Sequence, residues 1–568
     1  MRRLRVAVGL VALAVAVGWL ARVEEVSGVV RNAAGQPLVG AVVRIKATET
    51  AVATDRDGRF VLRGFEPAWS VRVTGWSAGH YVAGASARPW RQHLDLSLNA
   101  LPDGDDGRYP WQPPDPGEAP GALTVARDLG LDLAAAASID HIFKPLSERL
   151  ELTCADCHPD IHRQWQASAH ARGRANVRFE TLYNGTDVEG RASPPTRYAR
   201  NRDYGSVPLP PDLTRPYRGP GYKLDFPETA GNCASCHLPT LEGPAGDHGD
   251  VNHASELEAR GVHCDYCHKV SGVVLAPGTE APYPNRMGRF GYALTRPGEN
   301  ADVFFGPLDD VDFGRDTYLP AMETSAFCAP CHDGNSWGVP IYEEFREWQA
   351  SPYAADGVSC QDCHMASDGV TESVAPRRGG VRRDPATLST HTFPATAPMG
   401  GLLQDTAELR VTAELDGDRA VVEAEVTNSG AGHHLPTGSP LRRVLLVVDA
   451  TDAAGRELTL EEGPVLPEWT DDLWERPGLV FAKVLEQLWT GDKPTAAFWT
   501  QTRLVEDTRI PARETRRSRH TFQAPAEGDV NVTARLIFRR EDLSLARQKG
   551  WEPADVVMEE ATLTVPGR

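Results

Sequence analysis

The sequence contains no cysteine outside a single repeated motif, and this excludes an ordinary disulfide framework. All ten cysteines belong to five Cys-x-x-Cys-His motifs, so none is left over for cross-links elsewhere. The segments before and after the motif-bearing region have none. The motifs are CADCH at 154–158, CASCH at 233–237, CDYCH at 264–268, CAPCH at 328–332 and CQDCH at 360–364.

No stretch after residue 22 is apolar enough to span a bilayer. The first 22 residues combine a basic start with an apolar run, which is typical of an export signal peptide or an uncleaved membrane anchor. We therefore predict a periplasmic or cell-surface protein. The N-terminus could serve as a membrane tether, and the sequence does not determine the oligomeric state.

The chain also has no excess of positive charge, because it contains 59 basic and 78 acidic residues and its net charge is -19. An acidic surface argues against nucleic acid as a partner. No cluster of acids, bases and nucleophiles is evident outside the cysteine motifs. The expected partners are redox proteins, one donor and one acceptor.

Two thiols three residues apart can bond both vinyl groups of one haem, and the adjacent histidine then lies under the iron as the proximal ligand. Zinc would need a second matched pair of ligands, and a thioredoxin-like site would need a βαβ context. We therefore predict five covalently attached haem c groups. The thioether cysteines are Cys154, Cys157, Cys233, Cys236, Cys264, Cys267, Cys328, Cys331, Cys360 and Cys363, and the proximal ligands are His158, His237, His268, His332 and His364.

Twelve of the 17 histidines lie outside the motifs, so the supply of sixth iron ligands exceeds the demand. Histidine on both faces is usual for low-potential carriers, and we expect it here in preference to methionine at Met322 or Met399. The pair in GAGHHLPTG would dock the C-terminal region onto a haem. The distal candidates are His141, His170, His253, His391, His433 and His434.

The pattern of the chain predicts several domains. Residues 26–100 alternate apolar and polar residues as a small β-sandwich does, 101–139 form a Pro/Gly/Asp-rich linker, and 405–568 return to strands of a second β-sandwich. The block 140–404 between them is loop-rich with short helices and holds all five motifs. The Gly35-Gln36-Pro37-Leu38 turn and TDRDGRF resemble the carboxypeptidase regulatory-like (transthyretin-like) domain, which implies an accessory module.

The stretch CADCHPDIHRQWQASAH resembles the signature of multihaem cytochromes c related to the tetrahaem carrier of ammonia oxidation, hydroxylamine oxidoreductase and octahaem tetrathionate reductase. GVHCDYCHKV and GHHLPTG are also similar to pieces of such proteins. The resemblance implies close-packed haems that pass electrons, with His170 as the distal ligand of a neighbouring haem. Pentahaem nitrite reductases differ, because their catalytic haem has a proximal lysine.

One helix pattern occurs twice, as RQWQASAH and as REWQASPY, and His170 of the first copy is replaced by Tyr353 in the second. If catalysis occurs, Tyr353 and His162 are the first residues to inspect. We favour an electron carrier with bis-histidine haems. Two alternatives are an oxidoreductase that acts on a small nitrogen or sulfur compound at one open haem, and a surface-assembled electron conduit.

Overall fold

The computed structural model describes residues 22–115, 153–279, 281–298, 301–376, 380–394, 402–553 and 555–567. Most of the predicted signal or anchor and of the linker, together with His141, lies outside these residues. Within the described ranges, no helix is both long and apolar enough to cross a bilayer.

The N-terminal region forms two sheets around one apolar core. Strand order is β4-β1-β7 in one sheet and β3-β2-β5-β6 in the other, and β1 pairs parallel with β7. Val30 and Leu96 from the first sheet meet Val43 and Val73 from the second. Alternating burial along β7 reflects the two-residue period of a strand with one face inward. The strands are β1 Val26–Asn32, β2 Val42–Ile45, β3 Ala51–Ala53, β4 Arg59–Leu62, β5 Val71–Trp76, β6 Ala83–Ala87 and β7 His93–Leu98.

The central region consists of short helices, two-stranded sheets and loops. Its helices are too short to bury a continuous apolar stripe, which normally requires several turns. The helices are α1 Cys154–Cys157, α2 Pro159–Ala167, α3 Val177–Asn184, α4 Tyr222–Asp225, α5 Cys233–His237, α6 Cys264–Cys267, α7 Ala329–His332, α8 Glu344–Gln349, α9 Pro352–Ala355 and α10 Cys360–His364. The strands are β8 Tyr198–Asn201, β9 Gly205–Pro208, β10 Val270–Val273, β11 Tyr292–Leu294, β12 Phe304–Gly306, β13 Asp316–Tyr318, β14 Gly334–Ser336 and β15 Val339–Tyr342. Single 3₁₀ turns span His170–Arg172, Val251–His253, Glu258–Arg260, Gly288–Gly291, Pro320–Glu323, Ser325–Phe327 and Pro385–Thr387.

The C-terminal region again has two sheets around one core, with strand orders β16-β17-β22-β19 and β21-β20-β18-β23-β24. Val422 and Val426 of the first sheet share this core with Val444 and Leu536 of the second. The strands are β16 Ala407–Asp416, β17 Arg419–Asn428, β18 Arg443–Asp452, β19 Leu460–Glu462, β20 Gly478–Gln487, β21 Thr502–Asp507, β22 Thr515–Gln523, β23 Val530–Arg539 and β24 Asp555–Val565, with a 3₁₀ segment Glu468–Leu473 and helix α11 Leu543–Lys549.

Charged contacts join the N-terminal sheets to the central region. Arg44 bonds both carboxylate oxygens of Asp309, at 2.8 and 2.9 Å. Asp312, whose side chain is 5% exposed, accepts from Lys46 and from Arg72. Such nearly buried carboxylates are stable only when paired. The N-terminal unit is therefore seated on the strand-rich segment 302–318.

The C-terminal sheets contact the central region through buried polar groups. The Lys549 ammonium donates to the backbone oxygens of Thr181, Thr186 and Pro220 at 2.6 to 3.1 Å. Trp551 donates its indole N–H to the Thr181 hydroxyl at 3.0 Å. Because each of these donors is satisfied only by the central region, they fix how the two regions meet.

Candidate haem-binding site

All five motifs face one cavity of about 3510 Å³, lined by the central region, the edge of the C-terminal sheets, and Lys46 and Arg72 of the N-terminal sheets. The ten cysteines and the five motif histidines all lie on its wall. This volume is several times the roughly 300–1,000 Å³ of a pocket for one drug-sized ligand. The cavity has the size for several large apolar groups, which would add to the small side-chain cluster that the short helices form.

Each motif is a single helical turn, so its two cysteines lie on the same side, three residues apart. The turn at α1 begins at Thr153, whose N–H and hydroxyl both donate to Asp156 at 3.0 and 2.9 Å. The turn at α10 begins in the same way, with Ser359 donating to Asp362 at 2.7 Å through its N–H. A Ser or Thr followed by an acid three residues later stabilises a helix start. The cysteine spacing and the caps together explain why such short helices form.

Three motif histidines are oriented by backbone carbonyls. Their Nδ1 atoms lie 2.6 Å from Val374 O for His158, 2.6 Å from Phe305 O for His268 and 2.8 Å from Pro394 O for His364. A carbonyl can only accept, so Nδ1 carries the proton and Nε2 has a free lone pair. This is the arrangement found around metal-bound histidine.

Two motif histidines face a second imidazole. The ring centres of His332 and His170 are 6.4 Å apart, as are those of His364 and His433. A metal–imidazole bond is about 2 Å and the ring centre lies roughly 1 Å further, so two imidazoles on one metal have centres about 6 Å apart. Both pairs have the separation that a shared iron requires.

Burial among the cavity side chains lowers the pKa of His170 and of His391 to about 3, and the pKa of His237 to about 4. Removal from water disfavours the charged form of an imidazole. These rings are therefore neutral at physiological pH, and only a neutral imidazole can bind a metal.

The motifs lie next to one another in a definite order. The thiols of Cys154 and Cys264 contact each other, and so do those of Cys236 and Cys331 and those of Cys328 and Cys360. The first motif thus adjoins the third, the second adjoins the fourth, and the fourth adjoins the fifth. This order differs from the order of the motifs along the chain.

The other distal candidates lie in different environments. His391 is on the cavity wall near both His158 and His268, and its backbone N–H donates to Gln164 Oε1 at 2.9 Å. His434 is also on the wall, 3.7 Å from the Glu347 carboxylate. His253 is exposed in a 3₁₀ turn away from the cavity wall, and the His141 prediction falls outside the described residues.

Tyr353 and His162 line the cavity but have protein partners. The Tyr353 hydroxyl donates to Ser429 O at 2.9 Å, and the Arg513 guanidinium lies 4.5 Å from its ring centre. His162 Nε2 is 3.1 Å from Asp115, which also binds Arg260. Tyr353 thus connects the second copy of the repeated helix to the loop that carries His433.

Three further side chains at the site had not been singled out from the sequence. Phe179 stacks on His237 with ring centres 4.0 Å apart and planes at 7°. Glu344 Oε1 lies 3.5 Å from His332 Nδ1. His263 is fully buried on the cavity wall, and neither ring nitrogen has a hydrogen-bond partner among the described residues. A sequence pattern has no signal for these contacts, because each depends on distant segments or on loop geometry.

Residues 153–191 match the family of cytochrome c554 and c-prime. The match begins at the residue before the first motif and includes the helix that ends in WQASAH. It supports the interpretation of the chain as a multihaem cytochrome c. No curated protein matches the sequence significantly.

Similarity to solved structures is low. A penta-heme cytochrome c552 from Thermochromatium tepidum is 23% identical, with 72% of this chain and 97% of that chain covered and a TM-score of 0.48. A type II Cohesin-X-Dockerin complex from Acetivibrio cellulolyticus is 21% identical over 13% of this chain and 52% of that chain, with a TM-score of 0.11. PapD-like domain 7 of human CEP192 is 11% identical over 30% of this chain and 92% of that chain, with a TM-score of 0.13.

Proposed function

We propose that this chain is an exported electron-transfer cytochrome that holds five covalently attached haem c groups and exchanges electrons with separate donor and acceptor proteins. Bound haem supplies reversible one-electron chemistry at iron. The protein residues hold each group by two thioethers, orient the proximal imidazole and exclude water. These are the means by which a protein sets a haem potential.

The observation that carries the proposal is the presence of two pairs of facing imidazoles on the wall of a cavity shared by all five motifs. His170 faces His332 and His433 faces His364, each at 6.4 Å between ring centres. An iron with two imidazole ligands has no position left for a substrate, so it serves electron transfer. We assign His170 and His433 as the sixth ligands of the fourth and fifth haems, and His391 as that of the first or the third.

The contacts between motif thiols would place neighbouring haems close together, so that electrons pass between them in short steps. We expect the first and third haems to adjoin, and the second and fifth to adjoin the fourth, because their cysteines do. The N-terminal unit, which resembles a carboxypeptidase regulatory-like domain, would act as an accessory module, and the first 22 residues as export signal or tether.

Haem counting and electron paramagnetic resonance test the proposal. The pyridine haemochromogen assay and intact mass should give five covalent haems, and the oxidised protein should be mainly low-spin. Dithionite should reduce all five. Fewer than five covalent haems, or a protein that is largely high-spin, would contradict the proposal.

One observation favours the alternative of an oxidoreductase with an open haem. Among the described residues, no imidazole faces His237 of the second motif at the 6.4 Å separation found for His332 and His364, and Phe179 stacks on the flank of the His237 ring. A haem held by His237 with no second imidazole would bind a small nitrogen or sulfur oxyanion. A high-spin ferric signal that shifts on addition of nitrite or sulfite would support this candidate, and its absence would eliminate it.

A further inference from the structure

One segment has a charge opposite to that of the whole chain. Residues 190–223 contain seven basic and two acidic residues, in a protein whose net charge is -19. Arg191 and Arg218 pair with Asp187, and Lys223 pairs with Asp250, all three with carboxylates outside the segment. The positive excess of the surface therefore comes from Arg197, Arg200, Arg202 and Arg215, against Asp203 and Asp212. A local excess of one sign attracts partners of the other sign. The basic residues are Arg191, Arg197, Arg200, Arg202, Arg215, Arg218 and Lys223, and the acidic ones are Asp203 and Asp212.

The same segment exposes large apolar side chains. Tyr204, in the turn between β8 and β9, is 71% exposed, and Leu213 is 75% exposed. Tyr204 contacts Trp489 of the C-terminal region, with ring centres 5.6 Å apart. Tyrosine, tryptophan and arginine are the residues enriched in protein interfaces. We call the surface formed by Tyr198, Arg200, Arg202, Tyr204, Leu213 and Trp489 the hairpin surface.

The hairpin surface is linked through Asp225 to the cavity wall near the second motif. The Tyr198 hydroxyl donates to Asp225 O at 2.5 Å, and the Trp499 indole N–H donates to Asp225 Oδ2 at 2.8 Å. Trp499 lines the cavity and packs with Tyr222, in a cluster that includes Cys233. A partner on this surface is therefore linked to the second motif through Asp225, Trp499 and Tyr222.

We propose that the hairpin surface is the docking site of an acidic electron-transfer protein, which exchanges electrons through the haem of the second motif. The inference rests on the proposed electron-transfer function and names the partner class for it. An apolar centre with a basic rim suits a small redox protein with acidic groups around its cofactor, since charge complementarity speeds the encounter and fixes orientation. The position over the cavity wall favours this occupant over a lipid surface.

Stopped-flow reduction of the haem-loaded full chain tests the proposal. The probe is a reduced plant-type [2Fe–2S] ferredoxin, a small acidic redox protein. We expect the second-order rate to fall steeply with added salt in the natural protein. In the variant Arg200→Glu/Arg202→Glu the low-salt rate should drop by about tenfold or more, and most of the salt dependence should disappear.

The matched control is Arg56→Glu/Arg59→Glu on the N-terminal sheets. The side chains of Arg56 and Arg202 are 92% and 91% exposed, and each has an aspartate next to it. The control makes the same charge change far from the second motif, so its rate should stay within about twofold of the natural rate.

Three outcomes would overturn the proposal. Equal rates in Arg200→Glu/Arg202→Glu and in the natural protein exclude docking at this surface. Equal slowing in both variants would mean that net charge alone controls the rate. Binding to vesicles of phosphatidylcholine and phosphatidylglycerol that only the hairpin variant loses, with its ferredoxin rate unchanged, would identify a lipid surface as the occupant. Reduction by dithionite in the same samples separates these results from failure of the electron-transfer function itself.

Discussion

The two facing imidazole pairs differ in the angle between their rings, and this angle has a spectroscopic consequence. The planes of His364 and His433 are 18° apart, whereas those of His170 and His332 are 66° apart. Near-parallel axial imidazoles give a rhombic low-spin ferric signal, and strongly rotated ones give a highly anisotropic signal. We predict one haem of each kind, measured by electron paramagnetic resonance of the oxidised protein.

Ligand variants assign these two signals. His433→Ala should remove the rhombic signal and His170→Ala the highly anisotropic one, each with a new high-spin species. His253→Ala is the control, because His253 is exposed away from the cavity wall. An unchanged spectrum for His170→Ala would show that this histidine only packs against its neighbours.

The fourth motif differs from the others in having a carboxylate near its histidine. Glu344 Oε1 is 3.5 Å from His332 Nδ1, whereas the first, third and fifth motif histidines bond to carbonyls. A negative charge there stabilises the ferric form. Glu344→Gln should therefore raise one midpoint potential, by about 60 mV if the preference is tenfold.

Spectroelectrochemical titration measures that shift. Glu408→Gln, at an exposed ion pair with Arg410 on the C-terminal sheets, is the control and should leave all five potentials unchanged. A negative shift in Glu344→Gln, or no shift, would show that Glu344 is not electrostatically coupled to the fourth haem.

His520 makes stability depend on pH. It is fully buried in β22, and burial lowers its pKa from about 6.5 to about 4. Below pH 6.5 the unfolded chain takes up a proton that the folded chain resists, so the free energy of unfolding falls as pH drops towards 4. The loss is about 3 kcal/mol at most.

Calorimetry of the natural protein and of His520→Gln, at neutral pH and in mild acid, isolates this effect. On acidification, the melting temperature of the C-terminal transition should fall further in the natural protein than in the variant. Identical pH dependence in both would mean that His520 is accessible to protons in the folded state.

At the scale of elements, the second copy of the repeated helix anchors the loop that carries His433. Glu347 of α8 accepts from the His434 N–H at 3.1 Å, from the Thr437 hydroxyl at 2.5 Å and from Arg509 at 2.5 Å. The side chains of Glu347 and Arg509 are 3% and 4% exposed. A buried ion pair that loses one partner leaves an uncompensated charge.

Glu347→Ala should therefore destabilise the protein by about 2–3 kcal/mol, below the usual 3–5 because Arg509 keeps Asp507 and Glu343 as partners. It should also loosen the loop of His433, so part of the rhombic low-spin signal should convert to high-spin. Glu408→Ala, at the exposed pair, should do neither. A stable variant with the full rhombic signal would show that other contacts hold the loop.

The repeated helix also shows what a local pattern could predict. RQWQASAH and REWQASPY correctly suggested two related helices, and in both the tryptophan N–H donates to a backbone oxygen, Val262 O and Val358 O, at 2.8 Å. The β-sheet regions at both ends and the short-helix region between them are confirmed. Alternation of apolar residues is a local property, and each strand carries it in its own sequence.

At the scale of the whole molecule, the central region has only a small apolar cluster around Tyr183 and Leu238 beside a cavity of about 3510 Å³. We predict that it folds only when haem is attached. Protein made without cytochrome c maturation should be cleaved by protease throughout 153–394, while the sheets at 22–100 and 402–567 survive, since each has its own core. Mass spectrometry of the fragments measures this.

The haem-loaded protein is the control and should resist the same protease concentration. Equal resistance of the central region with and without haem would show that its side chains alone provide enough packing. Cys233→Ser/Cys236→Ser, which should lose one haem of five, is expected to give cleavage limited to the surroundings of the second motif.

The sequence by itself determined that five cysteine pairs, each with an adjacent histidine, lie within single helical turns, and from this it predicts the thioethers and proximal ligands. It also proposed His170 and His433 as distal candidates. Only the tertiary structure decided which motif each faces, that His253 is exposed and does not line the cavity, and that Phe179 stacks on His237. These contacts join residues tens to hundreds of positions apart, and a sixth ligand is chosen by which segment reaches the far side of the cavity, a property that no local pattern contains.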